Sequence, residues 1–203
     1  MKQLNDAYVV SACRTPVGKA PRGMFRNTRP DDLLAHVLRG VLAQVPSLNA
    51  KEITDVIVGC AIPEAEQGMN VARIGLLLAG IPQSVAGLTV NRFCASGLEA
   101  VAIAADRIRT GAADIMIGAG AETMSMIPMG GLKIAPNPAL MDSYPDVYLS
   151  TGLVAENHAR EHGISRDEQD AFALRSHQRA LAAIDAGRFS DEIVPVSARV
   201  TDP

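Results

Sequence analysis

Leu88-Thr89-Val90-Asn91-Arg92-Phe93-Cys94-Ala95-Ser96-Gly97-Leu98 runs from a short apolar stretch through a cysteine into small residues. Residues 88–91 read as a strand. Residues 95–109 read as a helix, closed by Gly111 just past its cap. A thiol at such a junction faces the positive end of the helix dipole and the free N–H groups of the first turn. Both favour the thiolate, and the same N–H groups are placed to receive an oxyanion. Gly97 admits close backbone approach, and Ala100, Ala102, Ala104 and Ala105 make the helix thin enough to run buried through a protein centre. An isolated free cysteine is more often a small buried hydrophobe. The strand–Cys–helix context reverses that reading and marks Cys94 as a nucleophile.

The pattern extends in both directions. Residues 7–12 form an apolar run that reads as a buried strand, and residues 14–29 form a basic, Gly- and Pro-containing loop. Pro30-Asp31-Asp32 opens a helix with acidic residues in its first turn, followed by an apolar stripe through Leu33, Leu34, Val37, Leu38, Val41, Leu42 and Val45. Residues 55–59 and 114–118 read as further strands and residues 70–79 as a helix. Strands alternating with helices imply an α/β fold with a mostly parallel sheet and helices on both faces. The character changes after residue 121. Residues 122–150 are rich in Met and Pro without periodicity, and a loop that long is usually functional. Ser165-Arg166-Asp167-Glu168 is a capping box opening a helix through Phe172, Leu174, Leu181 and Ile184 that stops at Gly187. A strand-like piece at 192–196 precedes Pro203, which carries no stop signal of a finished domain. The expected division is an α/β domain over 1–121 and an inserted covering region over 122–203. No internal repeat is present.

Composition excludes several classes. With 203 residues, 48% apolar and 20% charged, this is ordinary globular protein. A net charge of −3 and 3% aromatics without Trp argue against nucleic-acid partners and base-stacking platforms. Cys13, Cys60 and Cys94 are odd in number and widely spaced, which fits neither a disulfide framework nor a zinc site and suits a reducing compartment. No apolar signal core follows Lys2, and the most apolar window, 71–90, is interrupted by Arg73, Pro82 and Gln83. A cytoplasmic protein without a membrane span is expected.

Residues 90–98, with Ala100 and Val101, closely resemble the acyl-enzyme signature of the thiolases. Ser11-Ala12-Cys13-Arg14-Thr15-Pro16-Val17-Gly18, Phe25-Arg26-Asn27, Gln67-Gly68-Met69-Asn70-Val71-Ala72-Arg73 and Gly118-Ala119-Gly120-Ala121-Glu122-Thr123-Met124-Ser125 match that family in order. Ile164-Ser165-Arg166-Asp167-Glu168-Gln169-Asp170 is similar to its loop domain over coenzyme A. The resemblance therefore spans nearly the whole chain, with the degradative 3-ketoacyl-CoA thiolases of bacterial β-oxidation as the nearest type. It implies a thiolase-like fold plus part of an inserted loop domain. It further implies that Cys94 attacks the 3-keto carbon of a 3-ketoacyl-CoA and keeps the shortened acyl group as a thioester, which coenzyme A then removes. Coenzyme A is thus a substrate, no resident cofactor is implied, and acyl-CoA is the partner. The resemblance implies a homodimer or tetramer for the full-length protein, and a complex with other β-oxidation enzymes as a further partner. The catalytic His and second Cys of the family sit in a C-terminal half expected to lie outside this chain. His36, His158, His162 and His177 match neither position.

Contacts to coenzyme A are sought near Ser150, Thr151 and Gly152, where the family often carries His-Met before the glycine. His158-Ala159-Arg160-Glu161-His162 fits an inverted zincin motif, but a solvated helix face is the better reading and no metal site is expected. Gly118-Ala119-Gly120 lacks the continuation of a dinucleotide loop. Cys13 and Cys60 read as packing residues. Met124, Met126, Met129 and Met141 suit either loop packing or a pliable wall for an acyl chain. Alternatives are a biosynthetic acetoacetyl-CoA thiolase, a condensing ketoacyl synthase (disfavoured by the match at 164–173), and a non-catalytic acyl-CoA-binding or assembly subunit.

Overall fold

The computed structural model of the chain describes residues 4–198. Expectations resting on residues 1–3 and on the end at Pro203 lie outside the described residues. In chain order the first unit contains helix α1 (Pro30–Ala43), strand β1 (Asp55–Gly59), helix α2 (Val71–Leu78), strand β2 (Ala86–Val90), helix α3 (Ser96–Arg109) and strand β3 (Met116–Gly120). The three strands are parallel in the order β2-β1-β3. Asp55 pairs with Ala86 and Met116, and Gly59 with Val90 and Gly120, so all three end level.

Alternation along β1 builds the layers. Val56 and Val58 face α1 and α2, joining Leu34, Leu38, Val71 and Leu76 in one core. Ile57 points to the other face and packs with Ala100 and Ala104 of α3. A strand covered on both faces has to be apolar along its length, which is how residues 56–59 read after the paired Asp55. The α/β class with helices on both faces of a parallel sheet is therefore the observed architecture.

The contact between α3 and the sheet is made through bare backbone. A Cβ on Gly59 would stand 2.2 Å from the Ser96 carbonyl carbon, and one on Gly118 would stand 2.9 Å from Val101 Cα. At the other end of the helix, Arg107 Nη1 lies 2.7 Å from the buried Asp55 Oδ2. That cation also suits the negative end of the α3 dipole.

Residues 7–12 depart from expectation. They are extended but join no ladder, and Val9 and Val10 are 81% and 82% exposed. The segment's hydrogen bonds among the described residues are made at its flanks and with α1 and its cap residue Gln44. Asn5 N–H donates to Arg109 O (2.9 Å), Ser11 Oγ–H donates to Val41 O (2.9 Å), and Arg14 bridges Ile193. A cavity of about 520 Å³ separates it from β3, lined among others by Tyr8, Val10, Ile117 and Ala119. Ile115 O accepts from Thr54 and Ala121 N–H donates to Gly59, so residues 115, 117, 119 and 121 bond toward β1. Residues 116, 118 and 120 then turn their backbone groups to the slot. The apolar pattern is that of a strand, and the strand lacks its neighbour. Similarly, of residues 192–196 only Ile193 is bridged. β3 begins at Met116 rather than 114, because its start is set by pairing with Asp55.

Residues 133–191 form a second compact unit, and the chain from Glu192 returns to the first. The expected division fell at 121/122. Residues 122–132 stay with the first unit because their polar groups are bound there: Thr123 N–H to Gln67 Oε1 (2.9 Å) and Leu132 N–H to Glu64 Oε2 (2.7 Å). The second unit holds α4 (Pro138–Ser143), α5 (Thr151–His162) and α6 (Arg166–Asp185). The capping box is formed, with Ser165 and Glu168 satisfying each other's amides. Among the described residues no helix is long and apolar enough to cross a membrane.

The packing at Gly59 generates a direct comparison. Gly59→Ala is expected to destabilise the protein by about 1–3 kcal/mol through overpacking. Gly97→Ala, whose Cβ meets nothing within 4 Å, should be neutral or stabilising. Urea unfolding of both variants checks this, and equal midpoints would refute the close-approach account.

Candidate active site

The level strand ends create an edge at which three loops leave the sheet. Cys60 continues β1, Asn91 continues β2 and Ala121 continues β3. Cys94 lies on the β2 loop, exposed, two residues before α3. The turn that carries it is closed by its own hydrogen bonds. Ala95 N–H donates to Arg92 O (3.1 Å) and Ser96 N–H to Phe93 O (3.0 Å). Ser96 is buried, and its hydroxyl accepts from Arg92 N–H (2.8 Å) and donates to Phe93 O (2.6 Å). Phe93 sits at φ +46°, a left-handed conformation that costs a non-glycine residue about 1–2 kcal/mol.

Ala95 caps α3 without a side-chain bond, and Glu99 N–H returns to Ala95 O (2.9 Å). No acceptor among the described residues takes the N–H groups of Gly97 or Leu98. Unclaimed first-turn amides and the positive end of the helix dipole make a helix start able to hold negative charge, and Cys94 lies two residues before this one. The Glu99 carboxylate in the same turn is paired with Arg92 (3.1 Å).

A polar network stands behind this edge. Gln67 is fully buried. Its amide N–H groups donate to Ile62 O (2.7 Å) and to Glu122 Oε1, while its oxygen accepts from Thr123. Glu122 Oε2 accepts from Ala61 N–H (2.7 Å), and Ala61 O accepts from Asn91 Nδ2 (2.9 Å). Sequence reading left Gln67, Asn91, Ser96 and Glu122 without individual roles. The available signal was Asn91 and Glu122, polar residues just past the apolar runs of β2 and β3.

The other cysteines behave as expected for packing residues. Cys60 is buried on β1's end. Burial, and next the nearby Glu122 charge, push its thiol up to about 11. Cys13 donates to Val37 O (3.5 Å), and burial raises its thiol as well. Helix α3 departs from the expected buried helix. Ala100 and Ala104 face the sheet, but Leu98 is 75% and Val101 44% exposed, because only one side has a covering layer here.

No described histidine hydrogen-bonds Cys94. His36 Nε2 lies 2.9 Å from Pro195 O. His158 and His162 stack with ring centroids 5.9 Å apart, and with Glu161 their donor atoms fall within 4.8 Å, all exposed. Ser150, Thr151 and Gly152 open α5 in the second unit, where Ser150 Oγ accepts from Leu153 N–H (3.4 Å).

Comparison with known proteins matches residues 7–203 to the family described as thiolase, N-terminal domain. The chain is similar to a 3-ketoacyl-CoA thiolase of Bacillus subtilis, 49% identical over 199 residues, covering 98% of this chain and 51% of that protein. It is also similar to the peroxisomal 3-ketoacyl-CoA thiolase 5 of Arabidopsis thaliana (46% identical, 98% and 44% covered). A 3-ketoacyl-CoA thiolase of Cronobacter sakazakii is 45% identical, with 98% and 51% covered. The chain thus spans about half the length of the curated relatives it matches.

Iodoacetamide near pH 8 is expected to alkylate Cys94 first, since it alone of the three thiols is exposed and it lies two residues before α3. Cys60 should remain unmodified until the pH approaches its raised value of about 11 or the protein unfolds. Peptide mass spectrometry over a time course reads this, and equal rates at the three thiols would rule it out.

Proposed function

The chain belongs to the thiolase family, and from that premise we propose that it carries the nucleophile of an acyltransferase acting on 3-ketoacyl-CoA. The observation that supports this best is the exposed Cys94 on a self-bonded turn at the start of α3, with unclaimed amides beside it. The Cys94 thiolate adds to the 3-keto carbon, and the bond between that carbon and C2 breaks. The two-carbon piece leaves as the acetyl-CoA enolate, which takes a proton, and the shortened acyl group stays on sulfur. The thiol of coenzyme A then attacks this thioester, giving the shortened acyl-CoA and returning Cys94.

Two functions lie beyond what these residues offer: a base that deprotonates the nucleophile, and an acid that protonates the departing carbon. We assign both to the half of the relatives' length that this chain does not span. The same half would cover the exposed side of α3 at Leu98 and Val101. Coenzyme A contacts are proposed near Ser150, Thr151 and Gly152, where the first amides of α5 suit phosphate oxygens. A cytoplasmic homo-oligomer working in fatty-acid β-oxidation, in contact with other enzymes of that process, completes the proposal.

In the full-length protein, Cys94→Ser should leave the fold intact and lower thiolysis by several powers of ten. Retained turnover of a 3-ketoacyl-CoA would exclude the assignment. Residues 1–203 expressed alone should give no useful release of acetyl-CoA and should associate through α3. A monodisperse monomer with thiolase turnover, measured by light scattering and by assay, would show that the catalytic partners lie within this chain.

A further inference from the structure

The left-handed Phe93 is the residue immediately before the nucleophile, and nothing in a phenylalanine side chain favours that conformation. Its backbone N–H is instead held from outside the turn. Asn91 Oδ1 accepts it at 2.8 Å. The other end of the same amide donates to Ala61 O at 2.9 Å, on the loop leaving β1. The two contacts fix which way the amide points, because one partner is a donor and the other an acceptor. Ala61 is itself clamped through its N–H to Glu122, and Glu122 is held by the fully buried Gln67. The Cys94 turn is therefore tied, through one exposed side chain, to the clamped loop that leaves the central strand.

We propose that Asn91 is a positioning residue of the acyl transfer, acting through Phe93 to hold Cys94 against the α3 amides. It rests on the acyl-transfer reading above, and deepens it. Asn91 need touch no substrate. Its oxygen replaces the stabilisation a glycine would give at position 93, and its N–H group sets the turn's distance from β1.

The test uses the full-length protein and two readouts. Cys94 alkylation by iodoacetamide needs no acyl substrate, whereas kcat and KM for thiolysis do. Asn91→Ala is expected to lower both the alkylation rate and kcat by about 10- to 100-fold, with KM changed less than about threefold, as for a small misplacement of a reacting group. Asn91→Asp keeps the acceptor for Phe93 and should recover most of the alkylation rate. Phe93→Gly in the Asn91→Ala background should restore alkylation to within about threefold of Phe93→Gly alone, since glycine adopts positive φ unaided. A role in general stability would not be rescued in this way. Hydrogen exchange of the Phe93 amide in the unmodified protein provides an arm independent of any variant, and slow exchange is expected there. The proposal is overturned by unchanged alkylation in a folded Asn91→Ala protein, by failure of the glycine rescue, or by rapid Phe93 exchange. If thiolysis itself were absent, the alkylation and exchange arms would still decide the role of Asn91.

Discussion

The close seat of α3 on the sheet is the constraint from which the rest follows. With no side chain at Gly59, the backbone of Ser96 and Gly97 comes down directly on the last residue of the central strand. At Gly118 the middle of the same helix does likewise against Val101. That contact sets the height of the helix start above the strand ends, and so sets where Cys94 stands. It also explains the small residues along the helix. Ala100 and Ala104 pack onto Ile57, and a larger residue at either would lift the helix off both glycines. At the far end, the pair between Arg107 and buried Asp55 keeps the helix from pivoting. One carboxylate oxygen of Asp55 is without a partner among the described residues, so the guanidinium is what compensates that buried charge.

Much of this was legible from residue order because the local signals agree with one another. The apolar run at 56–59 announces a strand buried on two faces, and it becomes the middle strand. The acidic first turn of α1, the Ser165–Glu168 box and the Gly111 position after α3 mark helix ends through their own backbone chemistry. The strand–Cys–helix order placed Cys94 correctly at a helix start, because that geometry depends on neighbours within five residues. What could not be read depends on contacts distant in sequence. Gln67 meets Glu122 and Thr123 across more than fifty residues, and no spacing rule connects them. The strand expected at residues 7–12 illustrates the converse. Its pattern is sound, but a strand exists only where a neighbour supplies the ladder, and here the slot beside β3 supplies none.

The motifs outside the cysteine signature gain a physical reading from the same network. Gln67 and Asn70 come from one motif and serve two sides of the sheet edge. Gln67 binds the β1 and β3 loops. Asn70, left-handed at φ +59°, donates to Gly87 O and accepts from Thr89, fastening α2 to β2. Glu122 belongs to the run after β3 and holds the loop after β1. Each of these side chains joins the exit of one strand to the exit of another. In a parallel sheet the strand ends have no hairpins to keep them in register, so side chains take over that task at this edge.

This division explains why the Cys94 turn is well defined while much apolar surface near it is not covered. The hydrogen bonds found among the described residues that shape the turn from Arg92 to Ser96 are made inside this unit: by the turn's own backbone, by Ser96, by Asn91, and through Ala61 by Glu122 and Gln67. The uncovered groups are of another kind. Leu98 and Val101 on α3, Val9 and Val10 on the N-terminal segment, and the free edge of β3 are all elements whose pattern demands a second layer or a neighbouring strand. A non-directional apolar surface tolerates being completed late, because hydrophobic burial depends on area and not on angle. A nucleophile does not, since its reactivity depends on sub-ångström placement against the amides that receive charge. The directional bonds that shape the Cys94 turn are therefore built from residues close to it in the fold, and the apolar surface around it is left to whatever closes over it.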